Sequence, residues 1–442
     1  MLIDFTVKNY TSFKDEKTFS FLCNSKNIKD DIALINLEND KYKIYPFSVV
    51  LGPNASGKTN LFKALYDLQE FVRSSFNTPK NTKIEAYKPY KLNSSTIDAP
   101  TTFDIEFTSK GNHYSYKVIF LATSIISEEL YLFNNGIKLT KSFLFKRENL
   151  NIIYGSKVTG DKAVFKTLLL PNKLLLSVIG ESSSEGLIQD AHLFFINSLD
   201  IIFPQQFNSH FQNKYRTEVL IKEFPGVKKL VISLLKAADI QISDIKIINN
   251  EDIEKKLKEM QSDENIANEI LINHFSNKTF FGHPFYDDNK KFVKDELLNF
   301  EDSESSGTNK LYELSGSIIM ALLSGSILII DQLSSCLHPN IELFIVELFL
   351  SKDINTKGAQ LLINTHNANI IDNGNFTREQ VWFTDRNNYG ESDLFCLDEF
   401  DKNIIRDYAK YGKSYFENRM GGLPNICVDT FRKELESYYA QK

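Results

Sequence analysis

Residues 2–7 alternate apolar and polar positions as a half-buried strand does, and after a polar turn residues 17–22 read as a second strand, so a hairpin is expected to open the fold. Residues 45–51 form an apolar run that ends directly at a glycine-rich loop. Residues 59–72 then carry Leu61, Phe62, Leu65, Leu68, Phe71 and Val72, the spacing of an amphipathic helix. Strand, glycine loop and helix follow in that order. Past the polar Arg73-Ser74-Ser75, strand-like runs at 101–107, 114–120, 130–133 and 144–147 extend a β-rich first lobe over residues 1–185.

Helical spacing takes over between 186 and 277. Residues 187–202 and 218–238 read as amphipathic helices, and 252–275 as a strongly charged one, far too short for a long heptad arm. This stretch is expected to be an inserted helical subdomain. From 278 to 442 the texture is α/β again: a hairpin at 279–300, a helix running to 323, a buried strand at 326–330, a helix at 340–350 and a strand at 360–364. Alternating strands and helices predict a mostly parallel sheet, and the fold class expected is α/β with a mixed-sheet lobe and a helical insertion.

Composition narrows the field without changing this picture. The 442 residues are 42% hydrophobic and 24% charged, ordinary for a globular protein, and the formal net charge is -6. Such a chain is not a general nucleic-acid sponge, although a local basic stripe is compatible with it. Four cysteines with no paired spacing argue against a disulfide framework or a zinc cluster. An early acidic residue with no long apolar run behind it argues against a secretory signal, and the apolar stretch 318–330 is too short and too interrupted to span a bilayer. A soluble cytoplasmic protein is expected.

The candidate chemistry starts at the glycine loop. Gly52 and Gly57 bracket Pro53, Asn54, Ala55 and Ser56, and Lys58, Thr59 and Asn60 follow, which satisfies the P-loop pattern G-x-x-x-x-G-K-[ST] in its required strand–helix setting. Glycines let backbone N–H groups curl around phosphates, and the helix N-terminus adds favourable partial charge. Lys58 is expected to reach the β- and γ-phosphates of ATP, with the Thr59 hydroxyl on Mg²⁺. The apolar run 327–330 delivers Asp331, an acid suited to hold that Mg²⁺ beside Thr59.

Gln332 follows, where ATPases of this shape usually carry the glutamate that polarises the attacking water. An amide holds a water but takes no proton from it, so hydrolysis is expected to be impaired. Two explanations stay open: a natural glutamine that positions water, or a glutamate replaced so that the ATP-bound state is trapped. His366, at the end of the next strand, is expected to contact the γ-phosphate. Ser306 and Gly307 stand at a helix start. They form either an anion site for the γ-phosphate of a second subunit or a simple helix cap, and local chemistry serves both equally.

Taken together these residues resemble the ABC-type ATPase heads of the RecF, SMC and OLD group. More closely, they resemble the AAA-family ATPases of bacterial abortive-infection and related phage-defence operons. The likeness is carried by residues 5–13, 52–65 and 304–308, by the run from Ile330 to Pro339 that is similar to a Walker B and D-loop, by 364–367 as a switch-histidine strand, and by 381–384 and 412–426 in the tail. Departures fall at Gln332 and at Ser334, where Asp is common. Only Gln69 offers itself as a Q-loop glutamine.

The resemblance implies a homodimer or higher homo-oligomer in which two ATP molecules are sandwiched between the P-loop of one subunit and the signature of the other. It also implies a sensor role, in which a phage-derived trigger leads to control of a separately encoded toxic effector, often a nuclease. No paired-acid nuclease constellation follows Asn367, which favours a regulator. The alternative is a RecF-like DNA-repair ATPase. A basic stripe would favour that reading, whereas the net charge of -6 and the lack of long coiled-coil arms favour the first.

Overall fold

The computed structural model describes residues 1–25, 32–37, 42–134, 140–203, 209–249, 277–373, 377–401, 411–417 and 428–440. The expected helix at 252–275 and most of the tail segment 412–426 lie outside them. Two sheets share most of the core. In the first, the strands Leu2–Lys8 and Lys17–Ser20 pair antiparallel as the hairpin expected from the sequence. Five further antiparallel strands extend it, Thr101–Ser109, Asn112–Phe120, Ile125–Asn134, Thr140–Glu148 and Asn151–Tyr154. The alternating pattern along these strands turns one face onto the core and the other outward.

The second sheet positions the site. Its spatial order is Leu199–Ile202, Ile327–Ile330, Gln360–Asn364, Phe47–Leu51, Val381–Arg386 and Ser392–Cys396. The first five strands are parallel and the last is antiparallel. Phe47–Leu51, Ile327–Ile330 and Gln360–Asn364 are buried at every position, as inner parallel strands covered on both faces must be. Parallel strands put their carboxyl ends at one edge, so the glycine loop, Asp331, His366 and the end of Val381–Arg386 converge there.

The helix Lys58–Ser74 buries all six apolar positions read from the sequence, Leu61, Phe62, Leu65, Leu68, Phe71 and Val72. Two expected helices differ. The run 187–202 is a helix only over Leu187–Asn197; after Ser198 the chain turns into the strand Leu199–Ile202, which joins the parallel sheet beside Ile327–Ile330. A four-residue apolar run carries no period that separates strand from helix. The run 218–238 is two helices, Ser209–Glu223 and Pro225–Ala237, broken where Pro225 takes the first helical position and has no N–H to continue the ladder. Residues 186–277 thus contribute a strand to the parallel sheet as well as helices.

The helix Ser306–Ser324 lies across Ser209–Glu223 at very close range. The Gly316 N–H donates to Thr217 Oγ1 at 3.2 Å, and a Cβ on Gly316 would sit 2.5 Å from that oxygen. The hairpin expected at 279–300 is present as Asn277–Tyr286 and Phe292–Asn299, with Asp244–Asn249 as a third strand. Among the described residues no helix is long and apolar enough to cross a membrane.

Candidate functional site

The glycine loop is pressed against the hairpin formed by Val381–Arg386 and Ser392–Cys396. Gly52 has φ 152° and its α-carbon faces the Thr384 carbonyl; Gly57 has φ 117°, and a Cβ there would lie 2.5 Å from Ser392 Oγ. Both positions exclude a side chain by conformation and by space. Ser56 is held to the same hairpin through a 2.5 Å hydrogen bond between Ser56 Oγ and Thr384 Oγ1. Asn54 and Ala55 are exposed at the rim of the loop, and Ala55 adopts the left-handed φ of 61° that curls it. Lys58 is buried and donates to the carbonyls of Gly52 at 2.7 Å and Pro53 at 2.8 Å. Burial pushes its pKa down to about 8, against the pull of Asp331.

Thr59 Oγ1 donates to Asp331 Oδ1 at 2.8 Å, so the two oxygen donors assigned to Mg²⁺ from the sequence stand together. A hydroxyl beside a carboxylate is the hard, oxygen-only donor set that Mg²⁺ takes. Burial raises the Asp331 pKa, and hydrogen bonds from Asn364 and Thr59 pull it back. Asn364 clasps two strand ends: its side-chain amide donates to Asp331 Oδ1, and its Oδ1 accepts the Gln332 N–H at 2.5 Å. Gln332 is left-handed, with φ 55°, and lines the cavity above the loop.

His366 lines the same cavity. Burial first, then the nearby Lys58 charge, holds its pKa below the usual histidine range, so the ring is neutral at pH 7. On either side of it, Thr365 Oγ1 and Asn367 Nδ2 both donate to Glu342.

The opposite wall of this cavity, about 560 Å³ in volume, is built from residues that sequence reasoning missed. Thr11 and Ser12 come from the turn after the first strand, the segment 88–92 from the connection before Thr101, and Arg386 from the carboxyl end of its strand. Asn60 reaches this wall, donating to Ser12 Oγ at 2.7 Å, and Ser12 in turn accepts from Ser392 Oγ at 2.6 Å. Lys88 donates to Asp67, and Tyr90 donates to the Tyr389 carbonyl at 2.7 Å, which fixes the segment between them. The signal in the sequence was the basic–aromatic run Lys88-Pro89-Tyr90-Lys91, which no local period assigns to a site.

Two expected site elements lie elsewhere. Ser306 and Gly307 do not line the cavity. They open the helix Ser306–Ser324, where Ser305 Oγ accepts the Thr308 N–H at 3.1 Å as a cap, with Gly307 against the Cys336 carbonyl. Gln69 is not a Q-loop residue at this site: it is buried and its amide donates to the carbonyls of Phe195 and Leu199, pinning the helix-to-strand junction that completes the sheet.

Residues 47–372 match the family described as "AAA domain, putative AbiEii toxin, Type IV TA system". Among solved structures, the chain is similar to an SMC head domain from Thermotoga maritima, at 13% identity and a TM-score of 0.38 over 89% of this chain and 98% of that one. It is also similar to an SmcHead bound to the C-winged helix domain of ScpA, at 11% identity and a TM-score of 0.38 over 89% and 97%. No curated protein matches the sequence.

Proposed function

The chain belongs to the AAA-domain family that carries the AbiEii, Type IV toxin–antitoxin description, and on that premise we propose that it is the ATP-binding sensor subunit of an anti-phage defence system. In this reading it controls a separately encoded toxic effector through an ATP-dependent dimer in the cytoplasm, with residues 1–185 and 278–442 as the two lobes of an ABC-type head and 186–277 as its helical part. The observation that carries the ATP-binding part is the Thr59–Asp331 hydrogen bond at the foot of a cavity that also holds Lys58, Gln332 and His366.

In this reading the phosphates of ATP take the Lys58 ammonium from the Gly52 and Pro53 carbonyls, and the backbone N–H groups of 54–59 surround them. Thr59 and Asp331 would hold Mg²⁺, which when bound neutralises phosphate charge. In the same reading the neutral ring of His366, exposed at the cavity, offers an N–H to the γ-phosphate. Gln332 orients a water without taking its proton, so bound ATP persists. Ser306 and Gly307, which do not line the cavity, would in this reading meet the γ-phosphate of a second copy.

The test is self-association followed by light scattering. Mass should double with Mg²⁺ and ATP, stay monomeric with ADP, and stay monomeric for Lys58→Ala under both. A mass independent of nucleotide overturns the ATP-dependent dimer, and unchanged ATP affinity in Lys58→Ala overturns the P-loop reading itself. Co-expression with the products of adjacent genes tests the effector: suppression of a neighbour's toxicity that Lys58→Ala abolishes supports the sensor role. A neighbour whose toxicity ignores this chain counts against it.

A further inference from the structure

A buried carboxylate beside the cavity has no part in nucleotide binding as described above. Glu342 lies in the first turn of the helix Pro339–Leu350, which starts at His338, immediately after the turn and surface segment that follow Asp331. It is 1% exposed. Its Oε2 accepts from Thr365 Oγ1 at 3.2 Å and from Asn367 Nδ2 at 3.3 Å. Those two residues flank His366. The Thr365 hydroxyl also accepts the Asn367 N–H at 3.0 Å, which closes the turn that carries the histidine. One carboxylate oxygen therefore gathers both shoulders of the His366 turn.

Burying a carboxylate costs free energy unless strong hydrogen bonds offset it, and bonds to an ionised acceptor are about twice as strong as neutral ones. A hydrophobic side chain of this length would fill the same space without that cost. What Glu342 adds is orientation.

We infer that Glu342 is a positioning residue that aims His366 at the γ-phosphate, and so sets how strongly the site distinguishes a nucleoside triphosphate from a diphosphate. It acts through Thr365 and Asn367 and touches no nucleotide. The inference rests on the proposed contact between His366 and the γ-phosphate.

The experiment measures equilibrium affinities for Mg·ATP and Mg·ADP by calorimetry, with the ratio as readout and folding checked by thermal denaturation. Glu342→Met keeps length and bulk but accepts no hydrogen bond; Glu342→Gln keeps an accepting oxygen. Glu342→Met should lower the ATP-over-ADP preference about tenfold, through weaker ATP binding, with ADP as the reference. It should add nothing once His366→Ala is present, and Glu342→Gln should stay within about twofold of the parent, since one carbonyl oxygen can accept both bonds. A preference lost in His366→Ala but intact in Glu342→Met overturns the role of Glu342 alone, as do additive losses in the double variant. A parent protein with no preference for ATP overturns the γ-phosphate contact and this inference with it. Should Glu342→Met not fold, Thr365→Val and Asn367→Ala each remove one arm; a full preference in both overturns the inference, and a reduced one in either upholds it.

Discussion

Thr59 and Asp331 are 272 residues apart in sequence and joined by a 2.8 Å hydrogen bond, from the first turn of the P-loop helix to the end of a strand two positions away in the sheet. The strand between them carries Asn364 and His366 at its end, so every polar group under the expected phosphates hangs from three adjacent strand ends. Strand order sets this floor of the site, while the turn after the first strand and the segment 88–92 supply its opposite wall.

Asn364 is the clasp of that edge. Asn364→Ala should cost about 2–4 kcal/mol of stability in denaturant titration, because it removes a donor from the buried Asp331 carboxylate and an acceptor from the Gln332 N–H. Mg²⁺-dependent ATP affinity should fall with it. A loss below about 1 kcal/mol would mean that water replaces both bonds.

Gln332→Glu should raise steady-state ATP turnover by about 10²–10⁴-fold, the range contributed by a positioned general base. The backbone is already left-handed there and anchored by Asn364, so the new carboxylate inherits the orientation of the amide. Equal rates in the two proteins would place the missing step elsewhere.

Arg386→Ala should weaken ATP binding about 3- to 10-fold without loss of thermal stability, since the side chain is exposed at the cavity mouth and packs little. Its contribution should shrink as salt rises, which distinguishes it from the buried Lys58. Calorimetry at low and high ionic strength reads both effects.

Asp4 supplies a pH test of the antiparallel sheet. Burial, opposed by a Ser20 hydrogen bond and reinforced by the Glu106 charge, pushes its carboxyl up to about 6, and its Oδ1 has no hydrogen-bond partner. A folded-state pKa above the unfolded value of 3.8 means that its contribution is full below pH 3.8 and lost as pH rises through about 6. Asp4→Asn should therefore leave stability near pH 3.5 unchanged and raise it at pH 8, by up to about 3 kcal/mol. Parallel pH curves for the two proteins would exclude a buried charge at this position.

Local pattern carried the reading where a feature is local. Six apolar side chains at helical spacing gave the buried face of the P-loop helix, and two glycines with Lys58 and Thr59 gave the phosphate loop in its setting. The run Ile327–Ile330 ended at Asp331, as an inner strand that delivers an acid should. Pattern failed where the partner is distant. Nothing in Leu199–Ile202 itself says strand rather than helix; its pairing with Ile327–Ile330 decides it. Thr11, Ser12 and Lys88 reach the cavity only because the antiparallel sheet folds over the glycine loop, and Gln69, a candidate by residue type alone, serves the packing of that sheet's neighbour.

The close crossing at Gly316 has a mechanical consequence. With no Cβ between them, the helix Ser306–Ser324 and Thr217 of its neighbour interlock, so neither helix can roll about its axis alone. The pair works as a splint about 15 Å long from Gly316 to Ser306. Residues 209–223 and the Ser305 cap are thus tied into one rigid unit through the Gly316 crossing.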